Sequence, residues 1–179
     1  MTLPFIAVLM GSDSDLPTMQ VTLDVLSKLE IPHEVKITSA HRTPAATHAY
    51  VKNADGRGCG LFIAAAGLAA HLAGTVAGLT LKPVIGVPLA AGSLQGMDAL
   101  LSTVQMPGGI PVATVAIGKA GATNAGYLAA QILALGNPEL AARLRSEREE
   151  NARAVQAKNA ELQHKRRVRQ TGQPKDNDR

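Results

Sequence analysis

Four short segments hold residue types that could grip a phosphorylated small molecule and move a proton on it. The first is Gly11-Ser12-Asp13-Ser14-Asp15. Gly11 permits a tight turn, and amides at a helix start, together with the Ser12 and Ser14 hydroxyls, could hold a phosphate. The Asp15 carboxylate could accept from ribose hydroxyls. Ordinary helix capping by Ser and Asp explains the same residues, and the spacing is neither G-x-G-x-x-G nor a P-loop. The second is Ser39-Ala40-His41-Arg42-Thr43-Pro44, which holds the only arginine of the first 56 residues. A guanidinium beside a hydroxyl suits phosphate, and a histidine can take and give a proton near neutral pH. Either residue alone also reads as a solvated loop side chain.

The third segment spans 64–74 and contains Gly67 and His71 among small residues. Such residues let backbone approach a flat ligand, and they equally let a helix pack on a sheet. The fourth, 105–112, sets two prolines around Gly108-Gly109, a shaped loop suited to a lid, a subunit contact or a plain connection. Lys119 and Asn124 are further candidates, with helix capping by Thr123 or Asn124 as the simpler explanation.

Positioning these segments requires a scaffold. Short apolar runs at 5–10, 33–38, 61–65, 83–87 and 112–117 read as strands. Helical patterns fall at 17–30, 44–53, 71–79, 94–102, 124–135 and from Pro138 onward. This alternation predicts an α/β domain, a parallel sheet with helices on both faces. Ligands of such sheets bind at the carboxyl ends of the strands. The segments after strands one, two and three are therefore the places for a site.

Bulk properties narrow the function. With 179 residues, 46% hydrophobic and 18% charged, the chain suits one domain. Expected bounds are 1–165 for a catalytic domain that includes the long final helix, and 166–179 for a basic, disordered tail. Residues 1–138 carry seven basic and seven acidic residues, so the net +4 lies entirely after them. A neutral body with 2% aromatics argues against a nucleic-acid partner. One cysteine, Cys59, reads as a small buried hydrophobe in a reducing cytoplasm. Neither a signal peptide nor a bilayer-length apolar stretch is expected, so no membrane partner is either. The five histidines lack metal-ligand spacing.

Taken together, the segments resemble the N5-carboxyaminoimidazole ribonucleotide mutase family over about residues 5–150. The marks are MGSDSD at 10–15, SAHRTP at 39–44, AAHLAG at 69–74, GVP at 86–88 and LLSTVQMPGGIPVATVAIGKAGATNA at 100–125. The resemblance implies a three-layer flavodoxin-like fold, a homo-octamer with sites at subunit boundaries, a ribonucleotide substrate and no metal or organic cofactor. It implies phosphate at Ser12, Ser39 and Arg42, ribose beside Ser14 and Asp15, and the imidazole and migrating carboxylate near Gly67, His71 and Leu72. His41 becomes the acid–base residue, and loop 106–110 helps close the site from a neighbouring subunit. Family members often read GGAAHLPG where this chain has Leu68 and Ala73; Leu68 either narrows the pocket or packs, and packing is the reading favoured here. Two other functions stay in view: the family's second branch, which carboxylates aminoimidazole ribonucleotide directly with CO2 and lacks counterparts of Arg42 and His71, and a non-catalytic nucleotide-binding module. Nucleic-acid binding through the tail is a third.

Overall fold

A computed structural model describes residues 3–171, with side chains through residue 167. The apolar run at the amino terminus becomes strand β1 (Phe5–Met10), fully buried from Ile6 onward. A 3-10 turn (Asp13–Asp15) leads into α1 (Leu16–Lys28). There follow β2 (His33–Ile37), α2 (Pro44–Gly56), β3 (Cys59–Ala66), α3 (Leu72–Ala77), β4 (Val84–Pro88), α4 (Met97–Val104), β5 (Ala113–Thr114), α5 (Gly118–Ala134) and α6 (Pro138–Thr171). Pro17 and Pro44 occupy the first turns of their helices, where a missing N–H costs nothing.

All strand pairs are parallel, in the order β2-β1-β3-β4-β5. This is the flavodoxin-like order, in which β1 and β3 flank the point where the chain reverses its direction of winding. β1, β3 and β4 are buried on both faces, so they carry apolar runs without alternation. β2 is an edge strand, which explains its exposed Val35, Lys36 and Ile37. On one face Ala7, Leu9, Phe62 and Ala64 pack with Val51 and Ala54 of α2 and Leu72, Ala73 and Val76 of α3. On the other, α1 and α5 lie together: Thr22 Oγ1 donates to the Ala122 carbonyl at 2.6 Å, and a Cβ on Gly126 would lie 2.9 Å from Val25.

The largest differences from the sequence reading are in β5 and at the start of α5. β5 is two residues long rather than six, because only Ala113 and Thr114 are in register with β4. α5 starts at Gly118 rather than 124, so Thr123 and Asn124 lie inside it and cap nothing. Thr123 Oγ1 instead donates to the Lys119 carbonyl at 3.0 Å. The early start depends on Gly121, where a Cβ would fall on the Ala116 carbonyl oxygen. The small residues of 118–123 carry no apolar stripe to announce that turn.

Cys59 opens β3 and is 1% exposed. Burial pushes its thiol up to about 11. The folded protein is therefore expected to resist Ellman's reagent at pH 8 and to react stoichiometrically in denaturant; fast labelling of the native protein would contradict this burial.

The chain forms two compact units, Met1–Ala141 and Ala142–Arg179. In the second, helix continues to Thr171, past the boundary expected at 165. Every side chain from 148 to 167 is exposed. Ion pairs Glu149–Arg153 and Glu161–Lys165 link successive turns. The rest of the expected tail, 172–179, lies outside the described residues, as do residues 1–2. Among the described residues no helix is long and apolar enough to cross a membrane.

Candidate active site

The carboxyl ends of β1, β2 and β3 open onto one cavity of about 510 Å³, within the usual range for a site that takes a small molecule. After β1, Ser12 stands in extended backbone with φ −151° and caps the 3-10 turn. Its N–H donates to Asp15 Oδ2 at 3.0 Å, its hydroxyl accepts from the Ser14 N–H at 3.3 Å, and the Ser14 hydroxyl lies 2.9 Å from it. This reciprocal capping box fixes the turn. Burial pushes the Asp15 carboxyl above the usual carboxylate range, opposed by backbone hydrogen bonds at Ser12 and Gly11. The two readings of this segment, capping and ligand binding, thus describe one turn: the capped residues Ser12, Ser14 and Asp15 also line the cavity.

The loop after β2 is held by hydroxyls. Thr38 and Thr47 meet at 2.7 Å in the interior, and Thr43 Oγ1 accepts from the Ser39 N–H at 2.9 Å. Ser39 Oγ accepts from the Arg42 N–H at 3.1 Å. Arg42 reaches back across the sheet, where its Nη2 donates to the Gly11 carbonyl at 2.9 Å. A guanidinium is thereby placed between the two serine-bearing turns, the arrangement an oxyanion of a phosphate ester calls for.

His41, beside Arg42, projects into the cavity from the same loop. Its Nε2 lies 2.8 Å from His71 Nδ1, and the rings meet edge to face with centroids 4.9 Å apart. One of these nitrogens must donate and the other accept, so the contact holds one proton between the rings. His71 sits at the amino end of α3, and its side chain makes no cap hydrogen bond there. Gly67 forms part of the cavity wall; a Cβ there would lie 2.8 Å from that of Ala91. Leu72 is 2% exposed yet contributes to the lining.

The cavity therefore brings together Ser12, Ser14, Asp15, Ser39, His41, Arg42, Gly67, His71 and Leu72. Lys119, Asn124 and the loop around Gly108 are not among its lining residues. Of the two readings of Leu68, lining the pocket and packing, the first is the one its position fits: it is 55% exposed and lines the cavity. Its φ of +55° turns it toward the opening, a conformation that a leucine does not announce. Ala91, after β4, was missed altogether. The neighbouring Gly92 at the carboxyl end of a strand was the available signal. Among the described residues no group of three or more His, Cys, Asp or Glu is placed to hold a metal ion.

Comparison with known proteins gives a consistent result. The family model described as AIR carboxylase matches residues 5–154. The chain is 52% identical over 152 residues to the N5-carboxyaminoimidazole ribonucleotide mutase of Bacillus subtilis, covering 85% of this chain and 94% of that protein. It is 52% identical over 160 residues to the protein of the same name from Mycobacterium tuberculosis, covering 89% and 91%. Among solved structures, Treponema denticola PurE superposes with a TM-score of 0.81 at 31% identity, covering 89% of this chain and 98% of that one.

Proposed function

The chain belongs to the AIR carboxylase family, and from that premise we propose that His41 serves as both acid and base in an isomerisation of N5-carboxyaminoimidazole ribonucleotide. The activity is that of an N5-carboxyaminoimidazole ribonucleotide mutase, an isomerase of purine biosynthesis. The product is 4-carboxy-5-aminoimidazole ribonucleotide. The observation that carries the catalytic reading is the convergence of His41, Arg42 and the Ser12–Asp15 turn on one cavity.

Arg42, Ser12 and Ser39 anchor the phosphate, and Ser14 with Asp15 faces the ribose. That register delivers the imidazole to His41, His71 and the Gly67–Leu72 wall. Protonation of N5 by the His41 imidazolium breaks the N5–carboxyl bond and frees CO2. The electron-rich C4 of the resulting aminoimidazole then attacks that CO2, forming the C4–carboxyl bond. Neutral His41 removes the C4 proton, which restores the aromatic ring and the imidazolium. The proton given in the first step is regained in the last, so no net proton is needed. His71 Nδ1 lies 2.8 Å from His41 Nε2 and so orients the imidazole that moves the proton.

Arg42 and His71 favour the mutase over direct carboxylation with dissolved CO2. Incubation with the N5-carboxy compound in bicarbonate-depleted buffer is expected to give the 4-carboxy product. Turnover of aminoimidazole ribonucleotide plus bicarbonate, with none of the N5-carboxy compound, would overturn the assignment.

The working form we propose is a homo-octamer in the cytoplasm, a compartment that suits the free Cys59 thiol. Helix α4 and the turn before it expose an apolar stripe: Leu94, Met97, Leu101 and Val104 are each 46–61% exposed. Their 3-4-3 spacing gives a seam that a second copy would cover. Loop 106–110 follows this stripe in the chain and would reach a neighbour's site. Paired Met97→Glu and Leu101→Glu substitutions are expected to reduce the mass measured by light scattering to that of smaller species, since each buried apolar side chain contributes about 1.5–3 kcal/mol. An unchanged mass would remove α4 from the interface.

A further inference from the structure

The two serine-bearing turns of the cavity differ in where their hydroxyl protons point. Ser39 Oγ accepts from the Arg42 N–H at 3.1 Å, which leaves its own proton free to turn to a ligand. Ser12 and Ser14 are held differently. The Ser12 hydroxyl lies 3.0 Å from Asp13 Oδ1. A carboxylate only accepts and a serine has one hydroxyl proton, so Ser12 gives its proton to Asp13. In the 2.9 Å contact between the Ser12 and Ser14 hydroxyls, Ser14 must then be the donor. The Ser14 N–H also turns to Asp13 Oδ1, at 3.0 Å. Asp13 thus ends a one-way chain that runs from the Ser14 hydroxyl through the Ser12 hydroxyl to a carboxylate.

Ser12 and Ser14 line the cavity, whereas Asp13 is exposed and is not among the lining residues. The chain therefore leads out of the cavity and commits both hydroxyl protons toward its outer end. An ionised phosphate ester is an acceptor of hydrogen bonds. Against these two serines it meets lone pairs until one of them lets go of its acceptor. Burial pushes the Asp15 carboxyl up, and the charge of Asp13 adds to that shift, so the field of Asp13 reaches the cavity wall. The same field opposes an incoming phosphate dianion. A carboxylate at a helix start is favourable for the helix itself; here it also occupies the donors that a phosphate would use.

We propose that Asp13 sets the affinity for the substrate phosphate by holding the Ser12 and Ser14 protons until the phosphate competes for them. This rests on the mutase reading above, with phosphate at Ser12, Ser39 and Arg42. Asp13 is a positioning residue: it acts through the two serines and moves no proton of the reaction. The chain has a direction only because a carboxylate cannot donate. Asparagine at this position keeps an oxygen for the Ser14 N–H and has an amide N–H to give to Ser12, so the chain can run the other way and present a serine proton to the phosphate. Alanine releases the Ser12 proton outright.

The test measures, by calorimetry, the Kd of the 4-carboxy product and of its nucleoside, which lacks the phosphate, for wild type, Asp13→Asn, Asp13→Ala and Asp24→Asn. Asp24→Asn removes the same charge from exposed α1 and controls for net charge. The ratio of nucleoside Kd to nucleotide Kd isolates what the phosphate contributes. That ratio should rise about tenfold in both Asp13 variants, equivalent to ~1.4 kcal/mol, and keep its wild-type value in Asp24→Asn. Melting temperatures should fall by no more than a few degrees, since the lost charge is exposed at a helix start. A purely structural role for Asp13 would lower the melting temperature and leave the ratio alone. An unchanged or smaller ratio in folded Asp13 variants, or an equal rise in Asp24→Asn, would overturn the role of Asp13 and spare the mutase reading. A wild type that binds nucleoside and nucleotide equally would overturn the phosphate placement as well.

Discussion

Replacing His41 with asparagine is expected to lower kcat for the N5-carboxy compound by about 10³-fold or more while leaving ligand affinity within a few-fold. General acid–base groups typically contribute about 10²–10⁴. One side chain acting in two successive proton transfers belongs toward the upper end. Asparagine preserves a polar side chain that can donate toward His71 Nδ1, so the loop between Ser39 and Pro44 keeps its shape. The hydroxyl ladder of Thr38, Thr43 and Thr47 that holds this loop does not involve His41. Binding of the product, measured by calorimetry, should therefore survive while turnover does not. That split marks a group needed in the transition state and dispensable in the ground state. An active His41→Asn enzyme would remove the residue from the chemistry.

Arg42→Met carries the second large effect, and it falls differently on the kinetic constants. The guanidinium donates to the Gly11 carbonyl at 2.9 Å and sits between Ser12 and Ser39. Each hydrogen bond to a charged partner contributes about 1.5–3 kcal/mol. If Arg42 holds the phosphate as proposed, its loss should cost kcat/KM about 10²–10³-fold, mostly through KM. Part of the loss is expected in kcat, because a phosphate anchor in the proposed role also sets the register of a ring that reacts far from it. Arg42→Lys should recover only part of the binding, since an ammonium cannot reproduce a planar two-point contact. A KM within threefold of the wild type in Arg42→Met would place the phosphate elsewhere.

How far the sequence alone could reach follows from the range of the interactions. β1 was legible from its apolar run because both its faces are buried, and α1 and α2 from the prolines in their first turns. The Ser12–Asp15 turn left capping and binding open, since both use the same donors and acceptors. Its geometry shows that the capped residues also line the cavity. The His41–His71 contact joins residues 30 positions apart. It depends on β1 lying between β2 and β3, and no local pattern encodes that order. Leu68 lines the cavity with a φ of +55°, a conformation that its residue type does not favour and that no local pattern announces. The start of α5 was hidden because Gly121 serves a close approach to Ala116 and leaves no apolar periodicity.

The central claim is that one carboxyl group moves from N5 to C4 inside this cavity. It is tested most directly with N5-carboxyaminoimidazole ribonucleotide carrying ¹³C in the migrating carboxyl, incubated with wild-type enzyme and unlabelled bicarbonate. Mass spectrometry of the 4-carboxy product in early turnover should show most of the label retained. A product that carries only unlabelled carboxyl, made from aminoimidazole ribonucleotide and bulk CO2, would contradict the account.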